Sequence, residues 1–203
     1  MIANKAQPVD FLLIGGGLTS ATAAETLRAA GAEGSIAILC AESTLPYYRP
    51  PLSKEFLLKG PDQTKVLIHD QAFYRDRNID VHLGTRVCRI DADNRRIETD
   101  HGVDFRFDKL LIATGASVHR LSLPGANLEG IHYLRTVSDA LSLYQAVAHA
   151  QRAIVIGASF LGMEIAASFA TRGVATTLIA REDLVYKKLC SPEVSNFFAA
   201  LRW

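Results

Sequence analysis

Phe11-Leu12-Leu13-Ile14-Gly15-Gly16-Gly17 is the stretch on which the fold turns. Four consecutive apolar residues predict a short strand buried on both faces. Three glycines then break it. Ala21 to Ala30 is an Ala-rich run of good helix formers stopped by Gly31, and Ser35 to Cys40 is a second apolar run. Residues 11–40 therefore read as one βαβ unit. The run from Phe11 to Ala24 carries no charge, yet Asp10 precedes it and glycines interrupt it. A membrane span needs about 20 apolar residues, so neither a span nor a signal peptide is read here.

The same grammar returns further on. Arg152 to Ile156 predicts a strand, Gly157 to Gly162 a turn, Met163 to Thr171 a helix, Gly173 its stop and Thr176 to Ile179 a strand. Between the two units the texture changes. Tyr47 to Lys54 (YYRPPLSK) is a loop, because consecutive prolines forbid helix and favour an extended path. Short runs around Asp80–Leu83, Arg86–Ile90, Arg95–Thr99 and Phe105–Phe107 predict a small antiparallel β meander. Lys109 to Ala113 predicts another strand, ending in Thr114-Gly115. Alternating strands and helices make the fold class α/β.

Composition removes several function classes. The 203 residues carry 22 Lys and Arg against 21 Asp and Glu, with 49% hydrophobic and 21% charged residues. A disordered tail, a collagen-like rod and a polybasic nucleic-acid arm are excluded. The aromatics are spread along the chain rather than interleaved with basic runs, so no single-strand stacking platform is read. Cys40, Cys88 and Cys190 form no CxxC and no metal-ligand spacing. The histidines (His69, His82, His101, His119, His132 and His149) are scattered singly, so no metal site is expected. A reduced, cytoplasmic setting and no membrane partner follow as expectations. Nothing in the sequence sets an oligomeric state.

Gly15-x-Gly17-x-x-Ser20 lies between a predicted strand and a predicted helix, where a dinucleotide fingerprint belongs. Gly15 allows the tight turn, Gly17 lets the backbone approach a pyrophosphate, and small Ser20 lets helix and strand pack closely. Gly16 completes the turn. The helix start offers N–H groups and a partial positive charge to phosphate. Glu42, just past the second strand, is placed to accept hydrogen bonds from a ribose. The second turn, Gly157-x-Ser159-x-x-Gly162, has Ser159 where the middle glycine belongs. Taken alone, each turn also fits an ordinary Gly-rich strand–helix connection. Two dinucleotide turns in one chain suggest a flavin reduced by a nicotinamide.

Four segments in order carry a resemblance: LPYYRPPLSKEFL (Leu45 to Leu57), DKLLIATGA (Asp108 to Ala116), YLRTVSDA (Tyr133 to Ala140) and IGASFLGMEIAAS (Ile156 to Ser168). Together they resemble the FAD-dependent pyridine nucleotide-disulfide oxidoreductases, in the ferredoxin/rubredoxin reductase and apoptosis-inducing-factor-like branch. The resemblance implies a FAD/NAD(P)-binding Rossmann-like three-layer fold with the small meander, then an incomplete second Rossmann-like unit. It divides the chain into a FAD-binding domain, residues 1–120, and the start of an NAD(P)H-binding domain, residues 121–203. Full members of the family continue with further NAD-domain strands, a late FAD segment and an interface domain, so the match is to an N-terminal half. By that expectation Trp203 falls inside a helix.

Carried over by motif, the resemblance implies FAD contacts at Gly15, Gly17, Glu42, Arg49, Lys54, Val87, Ala113, Thr114, Gly115 and Arg135. Arg49 offers a planar fork to phosphate or flavin oxygens. Lys54 brings a point charge to the flavin edge, and Glu164 matches the acid that pairs with it. NADH or NADPH is implied at Gly157, Ser159 and Gly162. Ala180 replaces the usual ribose-binding acid, with Arg181 next and Glu182 as a displaced acceptor. An acid favours NADH and an Arg can hold a 2′-phosphate. Lys54 stands in the neighbourhood where disulfide reductases carry redox cysteines, which reads Cys40 and Cys88 as packing residues. The implied activity is electron transfer from NAD(P)H through FAD to a ferredoxin or rubredoxin-type carrier. The alternatives are a redox sensor like apoptosis-inducing factor, a nitrite-reductase or NADH-oxidase type of flavoprotein, and an inactive remnant.

Overall fold

The apolar run at the first strand is buried from both sides, and that burial organises everything around it. The computed structural model describes residues 6–187 and 190–200. In chain order the first elements are β1 (Gln7–Ile14), α1 (Leu18–Ala29), β2 (Ile36–Leu39), α2 (Glu55–Lys59), α3 (Gln71–Asp76) and β3 (Ile79–His82). There follow β4 (Val87–Asp91), β5 (Arg96–Thr99), β6 (Phe105–Ile112) and α4 (Val137–Ala148). The last are β7 (Arg152–Ile156), α5 (Phe160–Thr171), β8 (Ala175–Ile179) and α6 (Pro192–Ala200). Leu201–Trp203, where the sequence places more helix, lie outside the described residues. The chain divides into two compact units. One holds the residues up to Tyr48 with Thr64–Ser117, and the other holds Arg49–Gln63 with the residues from Val118 on.

In the first unit the sheet runs β3-β2-β1-β6-β5-β4. β1 is parallel to both neighbours, with Phe11 opposite Ile36 on one side and Lys109 on the other. Alternation along β1 separates two cores. Leu12 and Ile14 join Leu39, Ile97, Phe105 and Phe107 on the meander side. Leu13 joins Ala24 of α1, Ile36, Ile38, Cys40 and Tyr74 of α3 on the helix side. Leu12, Leu13 and Ile14 are 0%, 2% and 5% exposed. Apolar burial stabilises at about 25 cal/mol per Å², so this strand anchors the unit.

Two strands differ from the sequence reading. Asp80–Leu83, expected as the first meander strand, is instead β3, parallel to β2 with Ile36 opposite Ile79. Its crossover helix α3 has only six residues, capped by Asp70 accepting from the Phe73 N–H, and is too short to show a helical period. The runs Phe105–Phe107 and Lys109–Ala113, read as separate strands, are one strand, β6. Asp108 alone separates those runs in the sequence, but within the strand its side chain points to solvent, where it pairs with Arg95 and Lys109. The antiparallel meander is therefore β4-β5-β6.

In the second unit β7 and β8 form a parallel pair, Arg152 opposite Ala175 through Ile156 opposite Ile179, connected by α5. Ile154 and Ile156 remain 66% and 63% exposed on a face that no described element covers. α4 starts at a reciprocal capping box: Thr136 accepts from the Asp139 N–H while the Asp139 carboxylate accepts from the Thr136 N–H. From Arg49 on, the proline loop belongs to this unit too. The Ser168 hydroxyl of α5 donates to the Ser53 carbonyl at 2.8 Å, and Arg172 donates to the Leu57 carbonyl at 3.3 Å. Both α1 and α5 begin three residues ahead of the sequence reading, directly at their glycine turns. Ser20 and Gly162, poor helix formers, masked those first turns.

Candidate functional site

The glycines of the first turn differ in what surrounds them. Gly15 sits at φ +120°, and a Cβ there would lie 2.2 Å from the Ala113 carbonyl oxygen. Only glycine lets β1 and the end of β6 meet so closely, a contact continued by the Ala113 N–H bonding the Ile14 carbonyl at 2.8 Å. A Cβ on Gly16 would meet the Cys40 sulfur at 2.7 Å, so this residue packs inward. Gly17 is the opposite case. Its backbone is extended (φ −111°, ψ −175°), and a Cβ there would meet nothing within 4 Å.

Gly17 is also the N-cap of α1, which has no side-chain cap and no acidic residue in its first turn. The first N–H groups of a helix have no partner within it. Open space, bare N–H groups and the helix dipole together make a cradle that fits a phosphate. Ser20 is completely buried and its hydroxyl has no hydrogen-bond partner, so its small size is what the packing uses. Thr114 and Gly115 leave the end of β6, Gly115 at φ +73°. Glu42 follows β2 half-buried, its Oε2 accepting from the Tyr47 hydroxyl at 2.6 Å. Val87 opens β4 opposite Thr99 and packs against the meander-side core.

Arg49, Lys54 and Arg135 lie in the second unit together with the second turn. Arg49 Nη1 donates to the Arg135 carbonyl at 2.5 Å, while the Arg135 N–H donates to Asp139. Lys54 Nζ is 3.0 Å from Glu164 Oε1, although 110 positions separate the two in sequence. The other carboxylate oxygen, Oε2, accepts from the Ser53 hydroxyl at 2.6 Å. Gly157 turns at φ +112°, and a Cβ on Gly162 would lie 1.8 Å from its carbonyl oxygen, so position 162 admits glycine alone. Ser159 is exposed and extended (φ −93°, ψ −177°), a conformation any residue adopts. The backbone itself therefore does not demand glycine at this position.

Glu182 lies beyond β8 with Arg181 Nη2 at 3.7 Å, the Arg being 84% exposed and the Glu 27%. The sequence reading missed two residues. Ser53, only 2% exposed, sat unremarked inside the quoted proline motif. Tyr186 has φ +56°, donates its N–H to the Ala158 carbonyl and packs its ring 4.9 Å from Phe160. Burial, and then the Glu164 charge, push its phenol above the ordinary tyrosine value. Nothing in the local sequence signals a left-handed tyrosine.

Cys40 keeps to packing, whereas Cys88, expected as a packing residue too, is exposed on its strand. Cys40 is buried, and desolvation, followed by the charge of Glu42, pushes its thiol up to about 12. A thiol with so high a value stays protonated at neutral pH and is a poor nucleophile. We expect iodoacetamide under mildly alkaline native conditions to modify exposed Cys88 and leave Cys40 intact until the protein unfolds. Native modification of Cys40, read by peptide mass spectrometry, would contradict the packing role. Among the described residues no group of His, Cys, Asp or Glu could hold a metal ion. No helix among them is long and apolar enough to cross a membrane.

Comparison with known proteins identifies the family. The family model described as pyridine nucleotide-disulphide oxidoreductase matches residues 9–201. Rhodocoxin reductase of Rhodococcus erythropolis is 36% identical over 191 residues, covering 94% of this chain and 45% of its own. Rubredoxin-NAD(+) reductase of Pseudomonas putida is 32% identical over 190 residues, covering 94% and 49%. The crystal structure of the ferredoxin reductase for the CYP199A2 system from Rhodopseudomonas palustris superposes with a TM-score of 0.90 at 33% identity, covering 94% and 47%. The chain thus spans about half the length of the curated relatives it matches.

Proposed function

The chain belongs to the pyridine nucleotide-disulphide oxidoreductase family, and we propose that it is part of a flavoprotein reductase passing electrons from NAD(P)H through FAD to a ferredoxin or rubredoxin-type carrier. Residues 1–120 would supply FAD-binding segments and residues 121–203 the start of the NAD(P)H-binding domain. The observation that carries the reading is the first turn: Gly17 faces open space at an uncapped helix start. Gly15, Gly16, Gly17, Ser20, Glu42, Val87 and Ala113–Gly115 would hold FAD from the first unit. Arg49, Lys54 and Arg135 are assigned to FAD as well. When bound, FAD supplies acceptance of a hydride and onward release of single electrons.

The protein's own share is positioning and charge. Gly15 and Ala113 fix the turn. The helix start receives negative charge, and Tyr47 orients the Glu42 carboxylate for ribose hydroxyls. Lys54, held by Glu164, presents an ammonium where negative charge develops, which is the arrangement that lowers a barrier electrostatically. Gly157, Ser159 and Gly162 would receive the nicotinamide dinucleotide. Cys40, Cys88 and Cys190 are free, so the acceptor is assigned outside these residues. Relatives named for rubredoxin and ferredoxin support the carrier class. The cytoplasm is the assigned compartment.

In the protein extended to the length of its relatives, we expect a bound flavin absorbance band, bleached by NADH. Cytochrome c reduction should depend on an added ferredoxin or rubredoxin. Absence of flavin would leave the remnant reading, and reduction that ignores the carrier would favour the sensor or oxidase readings. NADH should show the higher kcat/KM, because in this reading Glu182 accepts from the ribose hydroxyls, and a 2′-phosphate would take the place of one of them with negative charge. Glu182→Ala should erase that preference. A higher kcat/KM for NADPH would instead assign Arg181 as the phosphate ligand.

A further inference from the structure

Ser53 is a buried hydroxyl with a charged acceptor, and its surroundings leave it little freedom. It ends the tight turn Pro50–Ser53 and is 2% exposed. Its Oγ has two acceptors: Glu164 Oε2 at 2.6 Å and the Pro50 carbonyl at 3.4 Å. The shorter, charge-assisted bond takes the proton, since hydrogen bonds to ionised groups are shorter and about twice as strong. The Ser53 backbone is held in turn, its carbonyl accepting from the buried Ser168 hydroxyl on α5 at 2.8 Å. Ser168 lies one helical turn beyond Glu164, on the same face of the same helix. The loop and the helix therefore grip each other at two levels.

We propose that Ser53 is the positioning residue of the Lys54–Glu164 pair: its hydroxyl, with Ser168 fixing it from behind, holds one oxygen of Glu164 so that the other meets the Lys54 ammonium. A carboxylate on a half-exposed helix face has several rotamers, and an ammonium on a four-carbon stem has more. The pair is open to water, with Lys54 46% and Glu164 29% exposed. Ion pairs of that exposure are weak unless their geometry is fixed. Ser53 supplies the fixing. Its hydroxyl carries no charge and does not reach the reacting atoms; it acts through Glu164. The proposal rests on the reading of Lys54 and Glu164 as a working pair beside the flavin.

The test uses the full-length protein and two readouts. The first is the rate of acetylation of Lys54 by acetic anhydride, followed by peptide mass spectrometry. The amine can react only once it has left its partner, so the 3.0 Å contact with Glu164 shields it. Glu164→Gln should speed labelling about two- to fivefold, the scale of an exposed ion pair. Ser53→Ala should speed it by a similar factor, Ser53→Thr should restore the native rate, and Ser53→Ala should add nothing in the Glu164→Gln background. If Ser53→Ala does not fold, Ser168→Ala decides, with acceleration in the same direction. Native labelling rates in Ser53→Ala or Ser168→Ala, or factors that multiply in the double variant, would overturn the proposal. The second readout is NADH oxidation by the flavin-loaded protein, where Ser53→Ala should lower kcat and leave KM near the native value. Failure of the native protein itself to oxidise NADH would refute the functional reading; the labelling ratios would still decide the role of Ser53.

Discussion

Gly17→Val should leave the protein folded and strip it of flavin, whereas Gly15→Ala should cost the fold itself. Gly17 has φ −111° and ψ −175°, an extended backbone that a β-branched residue favours. Space within the protein is also free there, with nothing inside 4 Å of the new Cβ. The valine would instead occupy the room a pyrophosphate needs against the bare helix start. Gly15 differs on both counts. At φ +120° a side chain is strained by about 1–3 kcal/mol. Its Cβ would also sit 2.2 Å from the Ala113 oxygen, an overlap that forces β1 and β6 apart. Overpacking of that kind adds about 1–3 kcal/mol, a large share of the roughly 5–15 kcal/mol stability of a typical domain. Flavin content and thermal unfolding of the two full-length variants check this. Full flavin in Gly17→Val would refute the cradle. Unchanged unfolding in Gly15→Ala would refute the close contact.

This contrast also shows what the sequence can and cannot display. A strand, three glycines and a helix were legible because burial and backbone freedom write directly into residue type. Which glycine serves the fold and which serves the ligand was only partly legible. The role of Gly15 depends on Ala113, almost a hundred residues away, and Gly16 answers to Cys40. β3 was misread because a parallel partner leaves no local mark once its crossover helix shrinks to six residues. β6 was split because the charged Asp108 stands between two apolar runs, and nothing local shows that it merely faces solvent. The Lys54–Glu164 contact was legible through family resemblance alone, since no spacing rule joins a proline loop to a helix so far along the chain. Ser53 was invisible for a simpler reason: a serine after two prolines reads as loop until its acceptor is seen.

Lys54→Ala should slow hydride transfer far more than it weakens coenzyme binding or destabilises the fold. Were the pair fully buried, orphaning Glu164 would cost about 3–5 kcal/mol. The observed exposures of 46% and 29% do not support so large a value. Water can solvate whichever partner remains, so the stability change should stay below about 1 kcal/mol. The rate is another matter. An ammonium aimed at developing negative charge stabilises the transition state more than the ground state, and removing such a group costs on the order of 10²-fold in kcat. Glu164→Gln should show the same pattern with a smaller loss, because it releases the lysine rather than deleting it. The double variant should be no slower than Lys54→Ala alone, since Glu164 acts through Lys54. Stopped-flow bleaching of the flavin band by NADH, set beside coenzyme affinity and thermal unfolding, separates these effects. An unchanged bleaching rate in Lys54→Ala, or losses in the two single variants that simply multiply, would reduce the pair to a surface contact between the proline loop and α5.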